Sequence, residues 1–188
     1  MHTVYLLHDN ASWLEPLKAA LIQRGIHVVE WPLDTLHCDL SEVPPQGVFY
    51  LRCSASAFAR GCTHSASLAQ NYLAWLTQHK RRVINGAASL NLELSKAVQQ
   101  LALEQAGIRT MPSHLAAGEQ QIRHAAEALG LPFVLKPNRG GMGAGVQKVT
   151  NWSEFEAALS AHLATPMADG LTLVQRYIQA AGESHIRH

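Results

Sequence analysis

Charge is scarce in this sequence, and neither sign prevails. Only 15% of the 188 residues are charged, with 15 Lys and Arg against 14 Asp and Glu. The missing basic excess argues against a protein that binds nucleic acid or another polyanion through bulk charge. No stretch approaches the roughly 18 apolar residues of a transmembrane helix, and the N-terminus lacks the basic and apolar regions of a secretory signal. We therefore expect neither a nucleic-acid partner nor a membrane partner.

Cysteine is also rare. Cys38, Cys53 and Cys62 are odd in number and have no metal-ligand spacing. Such a set favours reduced thiols and a cytoplasmic location over a disulfide framework. The 11 histidines are scattered without any zinc-binding spacing. Apolar types make up 47% of the chain, which is enough to form an ordered core.

Apolar strands and amphipathic helices alternate over residues 1–86. The pattern predicts strands and helices at these positions: strands over 3–7, 26–31, 48–52 and 83–84, and helices over 12–24 and 66–79, the first capped by Ser12 and ended by Gly25. Strand–helix alternation with apolar strands is typical of a parallel sheet covered by helices. The fold class is therefore α/β, and its first domain is predicted to be Rossmann-like.

A second pattern follows. Residues 87–112 are predicted to be a connecting helix, over 90–105, and a linker. Residues 113–178 are predicted to form an α+β unit with the following elements: helices over 119–129 and 153–163, the latter capped by Asn151 or Ser153, and strands over 133–136, 145–149 and 171–178. Residues 179–188 would begin a further subdomain. Because the sequence ends there without a turn signal, we expect the remainder of that subdomain to be absent from this chain.

The most informative segment is FVLKPNRGGMGAGVQKV, residues 133–149. Lys136 lies on its apolar strand, and four glycines follow within six residues. Glycine allows positive φ and close approach of a ligand, and successive N–H groups in such a turn form an anion-binding concavity. Lys136 would add a positive charge beside this concavity, and Arg139 a second one. The segment therefore predicts a phosphate-binding site.

Two common phosphate loops do not fit this segment. A Walker A loop needs Lys where Val146 stands, and a dinucleotide fingerprint needs a third glycine there and a helix instead of a strand. The remaining hypothesis is a strand–loop–strand hairpin that closes over nucleotide phosphates. Its alternative is a glycine-rich hairpin that binds no ligand.

The loop after the third strand provides a second candidate site. Residues 52–64 follow the carboxyl end of a predicted parallel strand, where ligands of α/β proteins commonly bind. Arg52, Ser56 and Arg60 are therefore candidates to bind a carboxylate or phosphate of a second substrate. The alternative is an ordinary loop with surface arginines.

Four segments in this order resemble the ATP-grasp superfamily, and within it the RimK-like and glutathione-synthetase-like ligases. A Rossmann-like pre-ATP-grasp domain comes first, and ELSKAVQQLALEQAGIRTMPSH then carries a helix lysine. LGLPFVLKPNRGGMGAGVQKV resembles the lysine strand and glycine-rich lid. LTLVQRYIQAAGESHIR resembles the adenine-side hinge and the start of the next subdomain. The resemblance implies an incomplete ATP-grasp domain after the first domain.

The resemblance also implies roles for individual residues. Lys96 and Lys136 would contact the phosphates of ATP, and Glu183 the ribose. Arg187 resembles the arginine of an acidic-x-Arg segment and is the candidate catalytic residue. The remaining nucleotide-binding candidates are the lid residues Arg139, Gly140, Gly141, Met142, Gly143 and Ala144 and the hinge residues Gln175, Arg176, Tyr177 and Ile178. Backbone groups of the hinge would recognise adenine.

By the same resemblance, the activity would be that of an ATP-dependent ligase. A carboxylate of an amino acid or peptide would become an acyl phosphate and then join an amine. The family's Mg²⁺ ligands are expected beyond residue 188, so this chain would have no metal site of its own and would be inactive alone. Many relatives form homo-oligomers, so self-association is possible. The alternative is a regulatory or scaffold module with this fold that binds nucleotide without turnover.

Overall fold

The computed structural model describes residues 3–179 of the chain. The chain divides into two compact units between Ser95 and Lys96. Each unit has a hydrophobic core of its own. The division lies within residues 87–112, the segment that the sequence predicts to connect two domains.

The first unit contains four strands and three helices. The strands are β1 (Thr3–His8), β2 (His27–Pro32), β3 (Val48–Arg52) and β4 (Arg82–Ile84). The helices are α1 (Glu15–Gln23), α2 (Ser65–Gln78) and α3 (Ala87–Leu94), with short 3₁₀ turns at Ala11–Trp13 and Phe58–Arg60. All strand pairs are parallel, in the order β2-β1-β3-β4. The predicted parallel α/β arrangement is therefore confirmed.

Sheet register in this unit brings two chain segments together at one edge. β1 and β3 are neighbours, and His8 at the end of β1 is paired with Arg52 at the end of β3. Phe49 is fully buried between its neighbours, and its ring stacks on Tyr5 with the centroids 4.8 Å apart. Because the strands are parallel, the residues after His8 and Arg52 leave the sheet on the same side.

The predicted start of the first helix is wrong. Ser12 lies within the 3₁₀ turn, where the side chain of Asn10 accepts a hydrogen bond from its N–H at 3.1 Å. The α-helix begins only at Glu15. The residue before the helix, Leu14, provides no side-chain cap, so no capping residue marks the true helix start. Gly25 follows the helix with a φ of +70°, as expected for the residue that ends it.

Over residues 96–179, the second unit also contains four strands and three helices. The helices are α4 (Lys96–Gln105), α5 (Glu119–Leu129) and α6 (Trp152–Ala164). The strands are β5 (Ser113–Ala117), β6 (Phe133–Pro137), β7 (Gln147–Val149) and β8 (Leu171–Arg176). All pairs are antiparallel, in the order β5-β8-β6-β7. The predicted β6–β7 hairpin around the glycine-rich segment is present, although β7 starts two residues later than expected.

The core of the second unit lies on one face of this sheet. α5 contributes Ile122 and Ala126, and α6 contributes Phe155 and Leu159. Along β6, Phe133 and Leu135 are completely buried. Successive strand residues point to opposite faces, so the residues between them point away from this core. Lys136 therefore lies on the other face of the sheet.

The single helix predicted over 90–105 is wrong, because two helices occupy these residues. Ser95 has an extended backbone, with φ −120° and ψ 115°, and it separates α3 from α4. The apolar pattern continues across this break, so periodicity could not reveal it. Strand β5 was also missed, at the start of the predicted α+β unit. It is a five-residue edge strand in which Leu115 is exposed, and it lacks the apolar alternation of a half-buried strand.

Among residues 3–179, no helix has both the length and the apolar composition needed to cross a membrane.

Candidate functional site

Lys136 is placed by the pairing of β6 with β8. In this register Lys136 lies opposite Leu173, and Gln175 is the next residue of β8 on the same face. The Lys136 Nζ donates a hydrogen bond to the Gln175 Oε1 at 2.6 Å. Gln175 in turn donates from its Nε2 to the Ser113 Oγ at 2.8 Å. A neutral amide oxygen, held by a neighbouring strand, is therefore the partner of this ammonium group.

Lys96 reaches the same loop from the start of α4. Its Nζ donates to the carbonyl oxygens of Gly140, at 2.8 Å, and Asn138, at 3.3 Å. Its backbone N–H also donates to the Asn138 carbonyl, at 3.2 Å. These bonds attach the first residue of the helix to the start of the glycine-rich loop. The two lysines predicted from the resemblance are thus brought to the base of one hairpin.

Burial lowers the pKa of both lysines. Loss of water lowers the pKa of Lys96, and the nearby Asp169 carboxylate partly offsets this effect. Loss of water also lowers the pKa of Lys136, and repulsion from the Lys96 charge lowers it further. Among the ion pairs of residues 3–179, none includes either lysine. Two desolvated cations therefore lie near each other with neutral oxygens as their hydrogen-bond partners.

The glycine-rich turn projects from this base. The Ala144 N–H donates to the Gly141 carbonyl at 3.1 Å, and the Val146 N–H donates to the Gly143 carbonyl at 3.2 Å. Gly143 has φ +74°, and the neighbouring Met142 adopts φ +58°. The Met142 side chain is 95% exposed. The tip of the hairpin thus has little packing, as expected for a segment that closes over a ligand.

The far side of the turn is anchored more firmly. Gly145 has φ +71°, and a Cβ at this position would lie 2.9 Å from the Cγ of Pro137. His162, on α6, is buried, and its ring nitrogen Nε2 lies 2.8 Å from the Thr172 Oγ1. The His162 ring also forms a hydrogen bond with the backbone of Gly145, while burial lowers its pKa. The turn therefore has a loose tip and a fixed base.

Two polar residues that sequence reasoning missed organise this base. Asn138 is 3% exposed, and its side chain accepts from the Ala97 N–H at 3.1 Å and donates to the Asp169 Oδ2 at 2.7 Å. The Arg139 Nε lies 3.5 Å from the same Asp169 oxygen. Arg139, expected to add a positive charge beside the phosphates, is thus paired with a carboxylate here. The only sequence signal for Asp169 is an Asp-Gly turn before the last strand.

The predicted hinge has internal partners. The Arg176 N–H donates to the Pro112 carbonyl at 2.9 Å, and the Tyr177 N–H donates to the Pro132 carbonyl at 3.1 Å. These two N–H groups are therefore occupied in this structure, unlike those expected to recognise adenine. The Arg176 guanidinium also donates to a main-chain carbonyl, that of Leu129. Ile178 is exposed, and the candidates Glu183 and Arg187 lie outside the described residues.

The first unit has its own polar cluster at the carboxyl ends of β1 and β3. The Asp9 side chain is completely buried, accepts from the Ser54 N–H at 2.7 Å and lies 3.2 Å from the Arg60 Nη2. Ser56 accepts from the Arg60 Nη1 at 2.5 Å. The guanidinium groups of Arg60 and Arg52 lie 4.7 Å and 5.5 Å from the centre of the Trp13 ring. The predicted residues Arg52, Ser56 and Arg60 are thus neighbours, and the buried carboxylate neutralises one arginine.

The described part of the chain offers no metal centre. Over residues 3–179, no three His, Cys, Asp or Glu side chains come together in a way that could hold a metal ion. Two desolvated ammonium groups beside a glycine-rich turn suit phosphate oxygens, so these residues fit a nucleotide. They do not provide a carboxylate set for Mg²⁺.

Comparisons with known proteins agree with this geometry. Residues 92–184 match the family model described as D-ala D-ala ligase C-terminus. A solved RimK domain protein ATP-grasp from Sphaerobacter thermophilus is 25% identical, has a TM-score of 0.67 and covers 95% of this chain. The chain belongs to the ATP-grasp superfamily. Its fold is also similar to D-alanyl-alanine synthetase A from Vibrio cholerae, with a TM-score of 0.62 at 15% identity over 95% of this chain.

Curated relatives match this chain at higher sequence identity but over shorter lengths. The D-alanine--D-alanine ligase of Corynebacterium urealyticum is 36% identical over 78 residues, which are 41% of this chain and 20% of that protein. The corresponding ligase of Nitrosomonas europaea is 32% identical over 95 residues, or 50% of this chain and 30% of that protein. This chain also covers 65% of the Sphaerobacter protein and 60% of the Vibrio enzyme. It thus spans less than two thirds of each of these relatives.

Proposed function

We propose that this chain binds ATP and contributes to an ATP-dependent ligase that joins a carboxylate to an amine. In this proposal the first unit is the pre-ATP-grasp domain and the second unit is the ATP-grasp lid subdomain. The observation that carries the proposal is the pair of desolvated lysines, Lys96 and Lys136, at the base of the glycine-rich turn. Membership of the ATP-grasp superfamily supports the same reading.

The electrostatics favour a polyphosphate over a neutral ligand. A buried ammonium group loses hydration energy that a carbonyl oxygen replaces only in part. A phosphate oxygen would supply both a hydrogen-bond acceptor and a negative charge. It would also relieve the repulsion that lowers the pKa of Lys136. The N–H groups of the turn, around Gly141 and Gly143, would add donors without a side chain to block the approach.

The proposed chemistry is a phosphoryl transfer followed by an acyl transfer. ATP supplies an activated γ-phosphoryl group when it is bound. A carboxylate oxygen of the substrate forms a bond to that phosphorus as the bond to ADP breaks, and an amine then displaces phosphate from the acyl carbon and loses a proton. Lys96 and Lys136 would hold and neutralise the phosphates in both states, which is mainly positioning and electrostatic stabilisation.

The carboxylate side is proposed to involve Arg52, Ser56 and Arg60. The Asp9 carboxylate fixes the Arg60 guanidinium, and the Trp13 ring orients both arginines. The free thiols of Cys38, Cys53 and Cys62 suit a reducing compartment, which supports a cytoplasmic location.

Thermal unfolding of the protein with Mg·ATP tests the nucleotide site. A ligand at 100 times its dissociation constant stabilises the folded state by about 2.7 kcal/mol, so a clear rise in melting temperature is expected. The absence of a shift at millimolar Mg·ATP would overturn the nucleotide site. Phosphate release that depends on an added amino acid, in the full-length protein, would support the ligase. Binding without any stimulated release would instead identify a non-catalytic nucleotide-binding module.

A further inference from the structure

Three polar side chains form a row across the sheet of the second unit. Ser113 on β5 is paired with Gln175 on β8, and Lys136 on β6 lies diagonally opposite Gln175. The three strands are neighbours in the order β5-β8-β6, so these side chains share the sheet face that points away from the core. The row therefore connects the edge of the sheet with the candidate nucleotide site.

The Ser113 hydroxyl acts as an acceptor towards Gln175. A hydroxyl has a single proton to donate, and the Ser113 Oγ donates it to the Met111 carbonyl at 2.9 Å. The group that Gln175 turns towards Ser113 must therefore be a donor, and the Gln175 Nε2 lies 2.8 Å from the Ser113 Oγ. The amide of Gln175 thus presents its NH₂ group to β5 and its oxygen to the opposite side.

Gln100, on α4, supports the same orientation of this amide. The Gln100 Nε2 donates to the Met111 carbonyl at 3.1 Å and to the Glu104 Oε1 at 3.0 Å. The oxygen of Gln100 is then available as an acceptor, and the Gln175 Nε2 lies 3.4 Å from it. Both protons of the Gln175 amide therefore have an acceptor, so two neighbouring elements fix the direction in which its NH₂ group points.

Lys136 needs the opposite end of the amide. An ammonium group has three donors and no acceptor, so only the oxygen of an amide can bind it. The Lys136 Nζ lies 2.6 Å from the Gln175 Oε1, and a reversed amide would place N–H groups against the ammonium. The bond uses one of the three ammonium protons, so it holds the lysine without preventing contact with phosphate oxygens.

The contact with this oxygen also favours the charged form of Lys136. Loss of water and the Lys96 charge both lower the pKa of Lys136, whereas a hydrogen bond to an acceptor stabilises the ammonium. We propose that Ser113 is a positioning residue for nucleotide binding, because its hydroxyl orients the Gln175 amide that holds the Lys136 ammonium. This inference rests on the proposed function, since Lys136 is the lysine that would contact the phosphates of ATP.

Ser113→Ala tests the proposal in the protein without nucleotide. The variant removes the acceptor for the Gln175 Nε2, so the amide can turn its N–H groups towards the ammonium, and the pKa of Lys136 should fall further. NMR titration of ¹⁵N-labelled lysine side chains measures this pKa, and Lys136→Met identifies the signal. Ser113→Thr keeps the hydroxyl and suits a strand, so it should restore the pKa. An unchanged Lys136 pKa in Ser113→Ala, or equal changes in both variants, would overturn the proposal.

Nucleotide affinity provides the second measurement, by titration calorimetry on the full-length protein. Loss of one hydrogen bond from this row should weaken Mg·ATP binding about fivefold in Ser113→Ala. Only the protonated lysine attracts phosphate, so affinity falls as pH rises through the Lys136 pKa, and this fall should occur at a lower pH in the variant. The Lys96 charge is present in every sample, so its effect cancels. Ser160→Ala, at an exposed position on α6, is the matched control and should behave like the unaltered protein.

The pH profile distinguishes positioning from a general structural role. An equal loss of affinity at every pH would mean that Ser113 only stabilises the fold, and it would contradict the proposal. Normal Mg·ATP binding, with a Lys136 pKa that Ser113→Ala does not change, would remove the role of Ser113 and leave the nucleotide site standing. A lowered Lys136 pKa in this variant, without any Mg·ATP binding by the unaltered protein, would retain the orienting contact and remove the nucleotide site.

Discussion

The two units hold cations near their candidate sites in opposite ways. In the first unit, Arg60 lies 3.2 Å from the fully buried carboxylate of Asp9, so the charge is balanced within the protein. In the second unit, Lys96 and Lys136 donate to carbonyl and amide oxygens, burial lowers the pKa of both, and the Lys96 charge lowers the pKa of Lys136 further. A balanced pair holds its groups in place without a ligand. An unbalanced pair is most stable when an anion arrives.

The difference explains why the lysines point to function more strongly than the arginine does. Burying charge without a counter-ion costs stability, and such a cost is typical of binding and catalytic sites. The Asp9–Arg60 pair shows that this fold can provide a counter-ion where one is needed. Asp169 is close to Lys96 but pairs with Arg139. The second unit therefore leaves its site short of negative charge.

The largest expected effect comes from removing the lysine on β6. Lys136→Met should lower the affinity for Mg·ATP by about 100-fold, which removes most of the stabilisation of about 2.7 kcal/mol that the unaltered protein gains at 100 times its dissociation constant. The free protein should remain at least as stable, because the variant removes a desolvated charge. Thermal unfolding with and without Mg·ATP measures both effects.

A matched control for this prediction lies on the same hairpin. Lys148 is exposed on β7, where its Nζ lies 3.9 Å from the centre of the Tyr177 ring. Lys148→Met should leave most of the thermal shift intact. An equal loss in both variants would show that general charge, rather than the buried position of Lys136, attracts the nucleotide.

An intermediate effect is expected from breaking the balanced pair. Arg60→Ala leaves the Asp9 carboxylate buried without its counter-ion, so it should lower the free energy of unfolding by about 2 kcal/mol. The estimate allows for the partial exposure of Arg60 to solvent. Asp9→Asn keeps an oxygen for the Ser54 N–H and should cost only about 1 kcal/mol. Urea denaturation of the variants gives these values.

The double variant decides whether the two charges act as a pair. With Asp9→Asn in place, the additional cost of Arg60→Ala should fall by at least half, because no buried charge remains to be neutralised. Strict additivity of the two single losses would mean that the pair is not coupled, and the contrast between the two units would then fail.

The smallest expected effect is a difference in stability between variants of two glycines in the same turn. Both Gly143→Ala and Gly145→Ala force a side chain into positive φ, at a cost of about 1 kcal/mol each. At Gly145 the new Cβ would also lie 2.9 Å from the ring of Pro137, whereas nothing lies within 4 Å of the position at Gly143. Gly145→Ala should therefore cost about 1 kcal/mol more in urea denaturation. Equal costs would indicate that the base of the hairpin is as free as its tip.

Local signals predicted the regular elements well where one face was buried. The strand over 48–52 and the helix over 119–129 have the bounds that the apolar pattern predicts. The edge strand β5 and the break at Ser95 were not foreseen, because neither changes the apolar period. The helix start near Ser12 was misplaced because a 3₁₀ turn capped by Asn10 lies there, and the α-helix begins after Leu14, which provides no side-chain cap.

The residues of the candidate site also fall into those that the sequence predicts and those that it does not. Lys136 and the glycines could be predicted because they are neighbours in sequence and their chemistry is distinctive. Asn138 and Asp169 were missed, since their pairing joins residues 31 positions apart. The internal use of the Arg176 and Tyr177 N–H groups depends on the carbonyls of Pro112 and Pro132, which no local pattern could identify.

The sequence by itself determined the α/β character, the glycine-rich turn and the lysine that precedes it, because periodicity and backbone freedom are local properties. Only the tertiary structure decided which charges are balanced. Asp9 meets Arg60 through the pairing of β1 with β3, and Lys96 meets the turn through the carbonyls of Asn138 and Gly140. Electrostatic energy depends on distance and exposure to water, and both are set by contacts between residues far apart in the chain.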